Sequence, residues 1–301
     1  MSTMISPGRA AQSPLSLAVR AAEDRVLRPF LFYHVLTPEQ LCRLLYKPGS
    51  LTFAYDVLAG LAKKEYLQVI RYPRSFPGRS QNVYTLARKG IRYLAGEGLD
   101  VPERYHAGEL AQLSRGHLDH TLAVNDAFIS LEGLTRDSQQ VVVARRIHDR
   151  TLKKQGTKIA VKVGERTPVT VPVIFDGWVD LHVAGRTRVC LGLEVERSVK
   201  QKDRWREKVA ALVSWSREGY QAQFGTKTLT VAVFTTLGDN HRQGLLTLTS
   251  QTLEELGERG EADLFRFSSV PPVSDPRAIW SARCWYRPFD PEPLSLLPET
   301  N

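Results

Sequence analysis

Two neighbouring stretches constrain this chain more than any other feature. In Thr170–Val183 the odd positions Val171, Val173, Phe175, Val179, Leu181 and Val183 are apolar, with Gly177 the one interruption. The even positions include Asp176, Trp178, Asp180 and His182. A period of two is that of a strand with one greasy face. Thr187–Glu196 repeats the pattern, with Leu191, Leu193 and Val195 on one side and Glu194 and Glu196 on the other. Paired as a hairpin, the strands bring Asp176 or Asp180 up to Glu194. Acids are poor strand formers and costly to bury. Carboxylates gathered this closely raise one another's pKa unless a cation joins them. The candidates are a hard divalent ion such as Mg²⁺, or the bases that follow, Arg197, Lys200, Lys202 and Lys208.

The rest of the chain sets this hairpin in context. Residues 1–17 are small, polar and Pro/Gly-bearing and read as disordered. Helical spacing runs from Leu17 to about Leu36. A second helix opens at Thr37-Pro-Glu-Gln, with Thr37 as N-cap and Gln40 at the capping-box position. A third covers Leu51–Lys64. The period then changes: Tyr66–Tyr72 and Asn82–Leu86 alternate as strands around a Pro/Gly/Ser loop, and Ala87–Leu94 returns to helix. Three helices, a hairpin and a closing helix spell a winged helix-turn-helix over residues 18–96. Residues 97–115 read as a linker. A long helix, a run of strands, a crossover helix and the apolar strand Thr226–Thr235 then predict a mixed-sheet α/β domain over residues 116–270. The fold class is therefore α/β overall, an α+β winged helix followed by a mixed-sheet α/β domain. Residues 271–301 form a Pro-rich tail whose Trp280, Trp285, Tyr286 and Phe289 call for burial on the domain or on a second copy of the chain.

A net charge of +9 favours a polyanionic partner. No run approaches the roughly 18–20 apolar residues of a membrane span, so double-stranded DNA is the expected polyanion and no membrane is expected. Cys42, Cys190 and Cys284 match neither a disulfide framework nor a zinc spacing, which suits a reducing, cytoplasmic setting. Between Lys63 and Arg92 the bases Lys63, Lys64, Arg71, Arg74, Arg79, Arg88, Lys89 and Arg92 face one acid, Glu65. Candidate DNA contacts are Thr52, Tyr55, Lys63, Lys64, Arg71, Arg74, Arg79, Arg88 and Lys89, with Arg74 and Arg79 at the wing tip. The proposed recognition helix carries no arginine, so backbone binding is better supported than base reading. A second basic run, Arg145 to Arg166, reads as a loop or hairpin that is either a further DNA contact or a solvated surface. A homodimer is expected, since winged helices commonly read two half-sites.

The acidic hairpin followed by a lysine-bearing helix resembles the PD-(D/E)xK nuclease fold. The whole chain, over roughly residues 20–265, resembles the replication-relaxation protein family of plasmids and mobile elements. The matching pieces are Val83-Tyr-Thr-Leu-Ala-Arg-Lys-Gly-Ile-Arg-Tyr-Leu, His120 through Asn125-Asp126, Phe175-Asp176, Leu193-Glu194-Val195-Glu196-Arg197, Arg204 to Lys208, and Val231-Ala-Val-Phe-Thr-Thr with Arg242. The resemblance implies a winged helix joined to a nuclease-like domain, acting in plasmid or mobile-element replication, transfer or transcriptional control. It nominates Asp176, Glu194, Glu196 and Lys208 as a catalytic set. Asp176 and Glu194, with Asp126 or His120 from the side, would be ligands for Mg²⁺ or Mn²⁺. Two departures stand out: Phe175 replaces the proline before the first acid, and Glu196 occupies the usual lysine position. The resemblance thus leaves two functions open, a DNA-binding protein with a degenerate nuclease-like domain and a Mg²⁺-dependent DNA endonuclease.

Overall fold

The computed structural model describes residues 20–72, 81–101, 113–138, 140–165, 167–184, 186–197 and 202–297. The expected disorder of residues 1–17, Arg74 and Arg79, Lys200, Arg166 and most of the expected linker lie outside them. The chain divides into two compact units, Met1–Leu118 and Asp119–Asn301. Among the described residues no helix is long and apolar enough to cross a membrane.

The first unit starts with α1 (Ala21–Leu27) and α2 (Phe30–Tyr33). The single helix expected here is interrupted at Pro29, which precedes α2 and brings no N–H to the helical ladder. His34 then takes a φ of 61°, which ends α2 and turns the chain into the short strand β1 (Val35–Leu36). Next come α3 (Pro38–Leu45) and α4 (Leu51–Lys63). The capping box forms as the sequence predicts: Gln40 N–H donates to Thr37 Oγ1 at 3.1 Å, and Thr37 N–H to Gln40 Oε1 at 3.2 Å. Strands β2 (Leu67–Tyr72) and β3 (Gln81–Leu86) pair antiparallel, and β1 adds to the far side of β3. Helix α5 (Arg88–Gly96) follows. Gly90 is required there, since a Cβ would stand 2.2 Å from the Tyr66 carbonyl oxygen. Apolar residues of every element, among them Val26, Leu41, Leu58, Leu61, Val83 and Leu94, are fully buried. Helices and a three-stranded sheet in this order make a winged helix.

The second unit is built on a seven-stranded mixed sheet. Helix α6 (Arg115–Asp137) leads into β4 (Val141–His148) and the short α7 (Asp149–Leu152). A separate hairpin of β5 (Thr157–Val161) and β6 (Val169–Val173) comes next. Strands β7 (Gly177–Val183) and β8 (Arg186–Glu196), helices α8 (Lys202–Glu218) and α9 (Tyr220–Phe224), strand β9 (Thr230–Thr235) and helix α10 (Asp239–Glu255) continue the chain. The last elements are β10 (Phe265–Ser268), α11 (Pro276–Trp280), β11 (Trp285–Arg287) and β12 (Asp290–Leu294). The strand order is β12-β11-β10-β9-β8-β7-β4, with β8, β9 and β10 parallel and the other pairs antiparallel.

Strand alternation assigns the two sheet faces. Gly177 meets the Phe128 ring of α6, whereas its neighbour Trp178 stacks on Phe224 of α9 at 4.4 Å. Phe234 of β9 packs edge-on against Trp280 and Trp285. Trp280 Nε1 donates to Ser130 Oγ of α6 at 3.0 Å. Thus α6 and the C-terminal aromatics cover one face, and α8 to α10 cover the other. This corrects the domain boundary expected at residue 270. The last two strands belong to the sheet, and Trp280 and Trp285 are completely buried within the unit. The aromatic tail is thereby spent on the domain's own core.

A second correction concerns Thr170–Val183. The alternation is interrupted in sequence only at Gly177, yet the chain leaves one sheet and enters another at Ile174–Asp176. Phe175 is the pivot. Its ring presses against Gly192, where a Cβ would lie 2.5 Å away, and packs edge-on against Trp215. Asp176 therefore stands at a bend just ahead of β7. The fold is that of a winged helix followed by a mixed-sheet α/β domain of PD-(D/E)xK nuclease-like architecture.

Candidate functional site

The bend at Asp176 is held by its own backbone. Its N–H donates to the Leu193 carbonyl at 3.0 Å and its carbonyl accepts from Asp149 N–H at 3.1 Å. These bonds fix the carboxylate between α6 and β8. Asp176 Oδ1 lies 2.9 Å from His120 Nε2, and Oδ2 accepts from Val195 N–H at 2.8 Å. Burial opposes ionisation of Asp176, but His120, Lys208 and the Val195 amide outweigh it, and its pKa is lowered. Burial likewise opposes charge on His120. Asp176 prevails there, with Glu194 and Asp149 behind it, and the imidazole pKa is raised.

Glu194 sits on the inner strand β8, next to β9, and is 1% exposed. Its Oε2 takes a hydrogen bond from Lys208 Nζ. Its Oε1 is buried without a partner. Burial pushes the Glu194 carboxyl up to about 8; Lys208 pulls it down and Asp176 pushes it further up. Burial works against the Lys208 ammonium, but Glu194, Asp176 and Glu196 together raise its pKa. Glu196 closes β8 half-buried, and its carboxyl is also raised, first by burial and then by Asp176. Of the lysines named from the sequence that lie among the described residues, Lys208 is the one that reaches the acids. It stands two turns into α8, in phase with the buried Trp205 and Leu212. Lys202 is exposed.

Asp180 is not part of this cluster. On β7 it receives two bonds from the Arg188 guanidinium, at 2.9 and 2.6 Å, and the Cys190 thiol approaches at 3.6 Å. Arg188 is the chief cause of its lowered pKa. Arg197 pairs with Asp119 at 3.3 Å. The two histidines of α6 part company: His117 Nδ1 lies 2.8 Å from Ser114 Oγ, while His120 serves Asp176. A neighbouring chain of contacts escaped the sequence reading. His148 Nε2 lies 3.1 Å from the buried Asn125 Oδ1, His148 Nδ1 lies 2.6 Å from Asp149 Oδ1, and Lys153 Nζ lies 2.5 Å from Asp149 Oδ2. Against burial, His148 and Lys153 hold the Asp149 carboxyl far below its ordinary range. Lys153 belongs to the second basic run, and its charge is engaged here.

The nuclease-like architecture implies a divalent ion held by these acids. Both Asp176 oxygens carry hydrogen bonds, and one Glu194 oxygen carries an ammonium. Among the described residues no three His, Cys, Asp or Glu side chains are grouped to hold a metal ion. Asp176 and Glu194 as arranged do not fit that role. A groove of about 1280 Å³ opens beside the cluster between β6, α8 and α10, with Glu196, Lys208 and His241 on its wall.

In the winged helix the candidate DNA contacts fall into two sets. Thr52, Lys63, Arg71 and Arg88 are exposed, as is Arg92, four residues beyond Arg88 on α5. Among the described residues none of these four bases is ion-paired. The other set is engaged locally: Tyr55 donates to Glu39 at 2.8 Å, Lys64 Nζ binds Glu23 at 2.7 Å, and Lys89 Nζ donates to the Lys64 carbonyl at 3.0 Å above the Tyr66 ring. Glu23 is the reason Lys64 stays there. Burial would raise its carboxyl, yet Lys64 and the Arg20 amide hold it at about 2. The outer face of α4 also presents Leu51, Phe53 and the acid Asp56.

No curated protein matches the chain. The family comparison is positive: a sequence model described as replication-relaxation matches residues 32–230, from α2 of the winged helix through the acid cluster and Lys208 to the first residue of β9. That span exceeds half of the chain and takes in both the basic unit and the carboxylates, so the protein belongs to the replication-relaxation family.

Proposed function

We propose that the protein binds duplex DNA through its winged helix and that its nuclease-like domain is a platform for that binding rather than a cutting centre. In this reading it acts in the replication, transfer or transcriptional control of a plasmid or other mobile element. The observation that carries the reading is the contrast between the two units. The winged helix leaves Lys63, Arg71, Arg88 and Arg92 exposed and outside any ion pair among the described residues. The second unit spends the cations beside its acids on neutralising them. Free guanidinium and ammonium groups on one unit suit phosphate contacts. An arginine-free α4 suits backbone binding more than base reading.

Such binding depends on salt through counterion release. If four phosphates are neutralised, log K falls against log salt with a slope of about −3.6, a loss of roughly a hundredfold between about 50 and 200 mM. A fluorescence-anisotropy titration of a labelled duplex across that range measures it. Failure to bind at the low-salt end, or an affinity indifferent to salt, overturns the reading.

A further inference from the structure

We propose that the Lys208 ammonium is the resident counter-ion of Asp176, Glu194 and Glu196, and that it keeps a divalent metal ion out of this cluster. The inference deepens the reading of the second unit as a non-cutting platform and rests on it.

The groove reaches Glu196 and Lys208 from the surface, which brings a hydrated ion to the edge of the cluster, with Glu194 buried beyond it. Charge and ligand supply are the further obstacles. Lys208 Nζ is bonded directly to Glu194 Oε2, so a dication bound to the same carboxylate would stand only a few ångströms from a fixed positive charge. Their repulsion is poorly screened in a partly buried place, where the effective dielectric is well below that of water. The remaining acid gives no compensation. Asp176 already holds His120 on one oxygen and the Val195 amide on the other, which leaves at most one lone pair on each for a metal. Magnesium aggravates the deficit, because it sheds water reluctantly and demands near-octahedral oxygen ligands. What is left is Glu194 Oε1, buried and unpartnered, and the half-buried Glu196.

The sequence carries the same logic. Glu196 occupies the strand position where the nuclease pattern has lysine, and α8 returns a lysine to the acids from another direction. The ammonium thus arrives from above the sheet, on top of the carboxylates. If it is what holds the metal away, taking it off leaves Glu194 and Glu196 without their nearest ammonium beside the groove that Glu196 lines.

Mn²⁺ serves as the probe, read by electron paramagnetic resonance and by calorimetric titration of the full-length protein. The expected result is that Lys208→Ala binds Mn²⁺ at the cluster at least about tenfold more tightly than wild type and Lys208→Arg. Adding Glu194→Gln to Lys208→Ala removes the gain and so locates it. Lys208→Gln, closer in length to lysine, provides the same measurement if Lys208→Ala folds poorly, and Mn²⁺ then raises the melting temperature of the variant but not of wild type. Wild type binding Mn²⁺ as tightly as Lys208→Ala, with the binding lost in Glu194→Gln, overturns the proposal. So does the absence of any gain in both neutral variants. Neither outcome touches the affinity for DNA, which is measured without divalent ions.

Discussion

Lys208→Met is expected to destabilise the second unit by about 3 kcal/mol well above pH 8, because removing one partner of a buried ion pair strands the other. Glu194 is the stranded group, 1% exposed on an inner strand with one oxygen already unpartnered. The pH dependence separates this cause from lost packing. Glu194 has a folded pKa of about 8 against an ordinary 4.5, so its folded form holds a proton that the unfolded chain has released. A raised carboxyl contributes stability below the unfolded pKa and loses it as pH rises through the folded one. Wild-type stability therefore declines between about pH 4.5 and 8 from this group, and Lys208 limits the decline. In Lys208→Met the decline continues above pH 8, where that of wild type levels off. The deficit is small near pH 5, where Glu194 is protonated in both proteins, and largest above pH 8. At that end the melting temperature falls by roughly 6–12 °C, for a unit of this size. Adding Glu194→Gln to Lys208→Met recovers most of the loss, since two neutral groups of similar shape leave no buried charge. Thermal melts across the pH range measure all three proteins. A deficit that ignores pH and survives the double substitution means Lys208 contributes only its aliphatic stem.

The second large effect is on DNA. Arg88 and Arg92 are both exposed, and their spacing of four residues on α5 puts them on one helix face. Arg88→Glu with Arg92→Glu replaces two cations by two anions without disturbing a described contact. The duplex affinity is expected to fall by roughly a hundredfold at low salt, and the slope of log K against log salt to shrink by about 2. The loss is uniform across DNA sequences if these groups contact phosphate. A companion substitution, Lys64→Ala, acts differently. It releases Glu23, whose low pKa depends on Lys64, and so weakens the winged helix itself. Unaltered affinity and slope in the double arginine variant place the DNA surface elsewhere or remove it.

Much of the fold is legible from local chemistry. The Thr37 and Gln40 capping box, the change from helical to strand period at Tyr66, and the β7–β8 hairpin all follow from residue types at short range, and all form. What escapes is what depends on partners distant in sequence. The alternation of Val171 to Val183 carries no mark of the change of sheet at Phe175. That change arises because Gly192 and Trp215, far along the chain, make room for the ring. Trp280 and Trp285 announce burial but not its place, since their pocket is Phe234 and Ser130. In the candidate site the acids are visible as a stripe, yet the stripe does not separate Asp180, neutralised by Arg188, from Asp176. Choosing Lys208 needs the phase of α8, which Trp205 and Leu212 set once they are known to be buried. His148 and Asp149 stay hidden within a run of bases, although the adjacent His-Asp pair and Lys153 four residues on were signals to weigh.

In the proposed reading this family member grips DNA while its carboxylates stay tied to Lys208 and His120. The most direct measurement incubates supercoiled plasmid with the full-length protein and excess Mg²⁺ or Mn²⁺, then runs the same samples before and after the protein is digested away. The account predicts retarded plasmid before digestion and intact supercoils after it. Nicked or linear product that disappears in Asp176→Ala and Glu194→Ala contradicts it.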